Sequence, residues 1–319
     1  MIKVEHLTKR YGDFTAVDDL NFEINDGHVY GFLGPNGAGK STTMNIMTGC
    51  LSASEGKVLI DGFDIFEQPK EAKKHIGYLP ELPPLYMNET PYEYLRFVGE
   101  AKGLKEPELD KQIQEVLQKT RTENMQDRKI SKLSKGYRQR VGIAQALLGN
   151  PKVIILDEPT VGLDPMQIIE IRELIKELGK EHTVILSSHI LSEVQTICEK
   201  ILIINKGKLI AFDTPEKLEE SMSSSGGIRF TVDCTEKKAN KIMSHLNIIK
   251  SCKAEKADND HPVFSIETNC ENIYDAARQL FFAFSQEGCA LLEIKLKKAN
   301  LEEIFIELTE ENEKEIKNL

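Results

Sequence analysis

The chain has 319 residues, 40% hydrophobic and 29% charged, which is the make-up of a globular protein long enough for one large domain and a smaller one. Its net charge of −10 argues against a general nucleic-acid binder. No stretch approaches the ~20 apolar residues of a membrane span, and MIKVEHLTKRYGD lacks the apolar segment of a signal peptide.

In chain order, VYGFL (29–33) reads as a buried strand. It runs into GPNGAGKST (34–42), which matches the phosphate-loop pattern GxxxxGK[ST] with Gly34, Gly39, Lys40 and Ser41 in register. The apolar stretch MNIM follows, so the loop sits between a strand and a helix, as the motif requires. Glycines let the backbone curl until its N–H groups face phosphate oxygens. Asn36, Gly37, Ala38, Gly39, Lys40, Ser41 and Thr42 are therefore the candidate nucleotide-binding residues. Lys40 suits the β- and γ-phosphates, Ser41 suits Mg²⁺, and the helix N-terminus adds partial positive charge.

Further along, LDKQIQEVLQ places Leu109, Ile113, Val116 and Leu117 at helical spacing. LSKGYRQR (133–140) puts the good N-cap Ser134 before the apolar helix VGIAQALL. Read alone, it is either an ordinary capped surface helix or an anion-binding helix start. VIILDEPT (153–160) sets Asp157 and Glu158 at the end of an apolar strand, the edge where α/β sheets bind ligands. The pair is either a solvated strand end or a site in which Asp157 holds Mg²⁺ and Glu158 polarises a water. General-base help of that kind contributes about 10²–10⁴ in rate.

A helix over about 166–180 presents Ile171, Leu174, Ile175 and Leu178 on one face. TVILS (183–187) and ILIIN (201–205) are two more buried strands, and alternation with helices indicates a parallel sheet. SSH (187–189) offers His189 as a γ-phosphate sensor or as a structural histidine. SMSSSGG (221–227) has linker composition. Beyond it, the strands IRFTVDC, VFSIET and ALLEIKL alternate with helical patterns at about 236–246, 271–286 and 300–309, giving a small α+β unit. The charged EENEKEIKNL is expected to fray. The 6 scattered cysteines suggest neither zinc nor a disulfide framework, and Cys198 and Cys289 read as small core residues.

Over residues 1–220 this combination resembles the ATP-binding subunits of ABC transporters. The family's LSGGQ signature appears here as LSKGYRQR, with Lys135 and Tyr137 in place of Gly and Gln. The resemblance implies an α/β fold: a P-loop NTPase ABC cassette with a mixed sheet core and a helical subdomain. A small α+β accessory domain over 228–319 would follow the linker. It implies ATP and Mg²⁺ as cofactors. It also implies a second copy of the chain, whose Ser134 and Gly136 contact the γ-phosphate across a head-to-tail dimer. Arg138 and Arg140 are then phosphate-proximal or, the favoured option, interfacial. Tyr11 resembles the aromatic that stacks on adenine, or is a half-buried surface ring; Val17 would line the same pocket. Asp164, in VGLDP, resembles the loop that couples the two sites. His189 resembles the switch histidine. Glu81, in IGYLPELPP, stands where the family has a glutamine that touches Mg²⁺. GYLPE and LSKGYRQRVG are most similar to bacterial export-type subunits, including the gliding-motility type.

The function so implied is a hydrolytic motor subunit on the inner face of the cell membrane. It would drive a separate multi-span permease, docked in large part through segment 81–98 with Tyr86, Tyr92, Tyr94 and Phe97. An alternative is a soluble ABC-type ATPase acting on ribosomes or DNA. The acidic charge, the single cassette and the lack of a coiled-coil insertion weigh against it. A regulatory module without turnover is disfavoured by the intact Glu158 and His189.

Overall fold

The computed structural model describes residues 1–222, 227–258, 261–270 and 272–297. The chain divides into two compact units, Met1–Thr214 and Pro215–Leu319. Most of the SMSSSGG stretch (223–226), the helical pattern at 300–309 and the charged tail lie outside the described residues.

The first unit opens with β1 (Ile2–Tyr11), β2 (Phe14–Ile24), β3 (Val29–Leu33), β4 (Glu55–Ile60) and β5 (Phe63–Asp64). It continues with β6 (Ile76–Leu79), β7 (Val153–Leu156), β8 (Thr183–Ser188), β9 (Lys200–Asn205) and β10 (Lys208–Asp213). Its helices are α1 (Lys40–Met47), α2 (Pro69–Lys74), α3 (Pro91–Ala101) and α4 (Glu108–Lys119). They are followed by α5 (Lys135–Leu147), α6 (Pro165–Leu178) and α7 (Leu191–Ile197).

One sheet runs β10-β9-β3-β8-β7-β6, parallel throughout except for the antiparallel edge strand β10. Every residue of β3 and of β7 is buried, which is why their sequences are unbroken apolar runs. A second sheet, β2-β1-β4-β5, is antiparallel. Its strands are hard to read from sequence because register shifts in β1 between Val4 and Arg10 break the two-residue alternation. Phe22 of β2 meets Phe32 of β3 edge-on, with ring centroids 5.5 Å apart, within a core shared by the two sheets and α1.

Between β6 and β7 the chain is helical. Thr90 and Glu93 form a reciprocal capping box that starts α3. The apolar face foreseen for α4 is buried, as is that of α6. Helix α5 lies so close to β6 that a Cβ on Gly77 would stand 2.0 Å from the carbonyl oxygen of Ala146. The contact is backbone against backbone, with no flexible side chain to yield.

The second unit begins with α8 (Pro215–Met222), so the chain is already helical where the linker was expected to start. It goes on through β11 (Gly227–Val232), α9 (Glu236–Met243), β12 (Ile249–Asp258), β13 (His261–Thr268), α10 (Ile273–Gln286) and β14 (Leu291–Lys297). The sheet order is β12-β13-β11-β14, all antiparallel. Phe230, Phe264 and Phe284 form its core with Ile228, Ile266 and Leu280. Strand β12 was not anticipated, because it is an edge strand whose Cys252 and Ala254, paired with Ile266 and Phe264, are small and exposed rather than large and apolar. All six cysteines are free, and Cys198 and Cys289 are buried. Among the described residues no helix is long and apolar enough to cross a membrane.

Gly77→Ala forces two packed backbones apart. It is expected to cost about 3 kcal/mol, the upper end for overpacking. Urea unfolding of the variant checks this, and an unchanged midpoint would contradict the packing described.

Candidate nucleotide-binding site

The site grows from the end of β3. Gly34 lies where a Cβ would come within 2.3 Å of the Ile204 carbonyl oxygen, so the chain can leave the sheet there only as glycine. Gly39 has φ +103° and no room for a side chain, since a Cβ would meet Ala16 O at 2.6 Å. Gly39 is also the N-cap of α1, and it supplies no side-chain cap. The first-turn N–H groups of α1 are therefore not claimed by a capping side chain, which leaves them for an anion.

Lys40 is 6% exposed and its ammonium folds back over the loop. Nζ donates to Gly34 O at 2.8 Å and to Pro35 O at 3.3 Å, and it stands 3.9 Å from Glu158 Oε1. Burial pulls its pKa below the ordinary lysine value, while Glu158, Asp157 and Glu81 oppose that shift. An anion beside Nζ would favour the charged form further.

Asp157 and Glu158 follow directly on β7. The Asp157 N–H donates to Leu79 O at 2.9 Å, extending the sheet by one bond. Ser41 Oγ donates to Asp157 Oδ1 at 3.2 Å. Glu158 has a left-handed backbone, φ +48°, an uncommon conformation for a non-glycine residue. Its Oε2 contacts His189 Nδ1 at 3.0 Å. Ser187, at the end of β8, bonds to both acidic residues: its Oγ donates to Asp157 Oδ1 at 2.6 Å and accepts from the Glu158 N–H at 2.8 Å. Behind them, Glu193 accepts from Thr160 Oγ1 at 2.7 Å and Ser188 Oγ at 3.1 Å, and pairs with Arg172 at 3.3 Å.

A cavity of about 420 Å³ opens over this cluster. Tyr11, Glu81, Glu158, His189 and the loop from Asn36 to Thr42 line it, so these expected site residues are gathered in one place. Asp157, only 3% exposed, lies buried behind Ser41. Val17 does not line the cavity: it is fully buried in the core, at a register shift that sets Val17 against Lys9 and Thr15 against Arg10, and its side chain stands 3.6 Å from where a Cβ on Gly39 would be. Phe14 was not foreseen. It pairs with Tyr11 across the Gly12–Asp13 turn, and aromatics flanking a Gly-Asp turn were the available signal. The two residues are 49% and 63% exposed, with the Lys9 ammonium 5.2 Å from the Tyr11 ring centroid.

Ser134, Gly136 and Asp164 do not line the cavity. Ser134 caps α5 through the Tyr137 N–H at 3.4 Å, and Asp164 caps α6 through the Gln167 N–H at 2.9 Å. A Cβ on Gly136 would meet the Gln167 side chain at 2.8 Å, so the two helix starts abut. Arg138 and Arg140 both have partners within the chain. Arg138 donates to Ile130 O at 3.1 Å and Ser131 O at 2.9 Å, while Arg140 pairs with Glu170 and lies over the Tyr137 ring.

Among the described residues no three His, Cys, Asp or Glu side chains are grouped to hold a metal. Ser41 and Asp157 do present two hard oxygens side by side, which suits a cation that completes its shell with waters and substrate phosphates. A glycine-rich loop, a buried lysine and a paired acid at the carboxyl edge of a parallel sheet define a P-loop nucleotide site.

The ABC transporter family model matches residues 17–161. The uncharacterized ABC transporter ATP-binding protein YhcH of Bacillus subtilis (strain 168) is 36% identical over 321 residues, covering 100% of this chain and 99% of the relative. The linearmycin resistance ATP-binding protein LnrL of the same strain is 32% identical over 314 residues, covering 97% and 98%. A dimeric post-hydrolysis structure of the ATP-binding cassette MJ0796, bound to ADP and Pi, superposes with TM-score 0.61 at 28% identity, over 67% of this chain and 98% of that one. The chain belongs to the ABC transporter ATP-binding family and is an ATPase of that family.

If the exposed pair Tyr11 and Phe14 holds the base, Phe14→Ala and Tyr11→Ala should each weaken ATP binding by roughly 2- to 10-fold, the worth of one aromatic contact. Titration with a fluorescent ATP analogue measures this, and affinity unchanged in both variants would place the base elsewhere.

Proposed function

We propose that the chain is the ATP-hydrolysing motor subunit of a transporter, coupled to a separate multi-span permease and working in export. The observation that carries the reading is one cavity that gathers the phosphate loop, Lys40, Glu158 and His189 over the Ser41–Asp157 pair.

In this reading Lys40 and the loop N–H groups hold the β- and γ-phosphates. Ser41 and Asp157 hold Mg²⁺, with Glu81 a third candidate from the cavity rim. When bound, Mg²⁺ supplies positive charge against the phosphate oxygens during transfer. Glu158 polarises the attacking water with a carboxylate already fixed by its contact to His189. The other ring nitrogen of His189 is assigned to the γ-phosphate. Water attacks phosphorus, the bond to the β-phosphate oxygen breaks, and ADP and phosphate leave.

A second copy of the chain would close the site. Its Ser134 and Gly136 would approach the γ-phosphate from across the interface, and Asp164 would couple the two sites. Residues 1–220 are assigned to this cassette and 228–319 to an accessory domain beyond the linker.

Segment 81–98 supports a partner surface. Leu82, Tyr86, Met87 and Phe97 are exposed, and Tyr86 packs against Phe97 at 5.2 Å. Tyr94 belongs to the core instead, at 3% exposure, and Tyr92 bonds to Asp110 at 2.9 Å. Export is supported by the resistance named for LnrL, since resistance follows from moving an antibiotic outward. The motor would then sit peripherally on the cytoplasmic face of the membrane.

Glu158→Gln is expected to bind ATP, to dimerise with it and to lose turnover by about 10²-fold or more. Phosphate release and size-exclusion chromatography test this, and undiminished turnover would refute the assignment. Purification of the tagged chain from solubilised membranes should bring down a multi-span protein. Recovery with ribosomes or nucleic acid, or alone in the soluble fraction, would favour a soluble ATPase and overturn the transporter reading.

A further inference from the structure

Ser187 is fully buried at the end of β8 and has no part in the roles assigned above. The parallel register pairs Leu156 with Leu186, which brings Ser187 level with the first residues beyond β7. From there one hydroxyl does two things. It donates to Asp157 Oδ1 at 2.6 Å, and it accepts the Glu158 N–H at 2.8 Å. A hydroxyl carries one donor and two acceptor sites, so both bonds form at once.

The geometry points to Ser187 as a positioning residue for ATP hydrolysis, fixing the Asp157 carboxylate and the Glu158 backbone in one arrangement. This rests on the roles proposed for Asp157 and Glu158. Ser41 is the other donor to Asp157 Oδ1, but Ser41 is itself assigned to the cation. Ser187 is then the hydroxyl left to orient that carboxylate. The second bond matters because Glu158 is held at φ +48°, where a non-glycine backbone needs support to persist. Without Ser187 the buried Glu158 N–H would have no such acceptor, and the strained turn would relax, carrying its carboxylate off the water. An apolar residue fills this position of the strand equally well but makes neither bond.

The test uses the full-length chain as Ser187→Ala and Ser187→Thr, with Asp157→Asn and Glu158→Gln in parallel. A fluorescent ATP analogue in EDTA reports nucleotide binding, Mn²⁺ electron paramagnetic resonance of the ATP-loaded protein reports the cation, and phosphate release reports kcat and KM. Ser187→Ala should bind nucleotide in EDTA as the parent does. Its Mn²⁺ affinity and kcat should each fall roughly 10-fold or more, as for loss of a hydrogen bond to a charged group, with KM for ATP little changed. Ser187→Thr, which keeps the hydroxyl, should restore both. Parental Mn²⁺ affinity and kcat in Ser187→Ala would overturn the proposal. So would equal loss of metal-free nucleotide binding in Ser187→Ala and Ser187→Thr, which marks a packing role only. If Asp157→Asn and Glu158→Gln also turn over normally, the reading of the whole site has failed; if those two are dead while Ser187→Ala is normal, only the inference about Ser187 has.

Discussion

A lysine nearly removed from water must have its charge answered by its surroundings, and the site is organised around how Lys40 meets that demand. Burial disfavours its ammonium; two loop carbonyls and the Glu158 carboxylate within 4 Å favour it. This balance constrains the fold on both sides. The loop must curl tightly enough to offer Gly34 O and Pro35 O, which only the glycine geometry at Gly34 and Gly39 permits. The acidic strand end must lie beside it, which the parallel order β3-β8-β7 achieves. A polyphosphate entering the loop would bring stronger anionic partners than the carbonyls that Nζ now uses, so the site is polarised for that exchange.

Hydroxyls hold Asp157, and hydroxyls together with one guanidinium hold Glu193. Asp157 Oδ1 receives Ser41 and Ser187, while Glu193 receives Thr160 and Ser188 and pairs with Arg172. The Glu193 arrangement connects the loop after Glu158 to the residue preceding His189. A change in either loop is therefore felt through a buried network rather than through solvent. His189 itself is half-exposed at 41%, so its tether to Glu158 is the part that can be exchanged cheaply.

Legibility in the sequence followed burial on both faces. The strands VYGFL and VIIL match the observed spans residue for residue, because a central parallel strand is apolar at every position. Strands β1, β2 and β12 have polar or small residues on one face or carry register shifts, and they left no such mark. The phosphate loop was legible because its chemistry demands glycines at set spacing. Phe14 and Ser187 were not, since each matters through a neighbour across a turn or an adjacent strand, and such pairing is set by register rather than by local pattern. The core position of Val17 likewise depends on pairing, since the register shift that sets it against Lys9 leaves no local pattern.

The start of α5 is held by the arginines within it. Arg138 donates to Ile130 O and Ser131 O, and Arg140 pairs with Glu170, so both tie the start of α5 to its surroundings. Ser134, which they steady, is bound only through a 3.4 Å contact to the Tyr137 N–H. A cap at that length exchanges readily for a better partner, since hydrogen bonds of this kind favour about 2.9 Å. The helix start is therefore rigid in place yet loosely satisfied in its polar groups, and it does not line this chain's own cavity. An anion presented by a second molecule is the partner that suits such a surface, and a bound ATP whose outer phosphate faces away from its own loop would supply one.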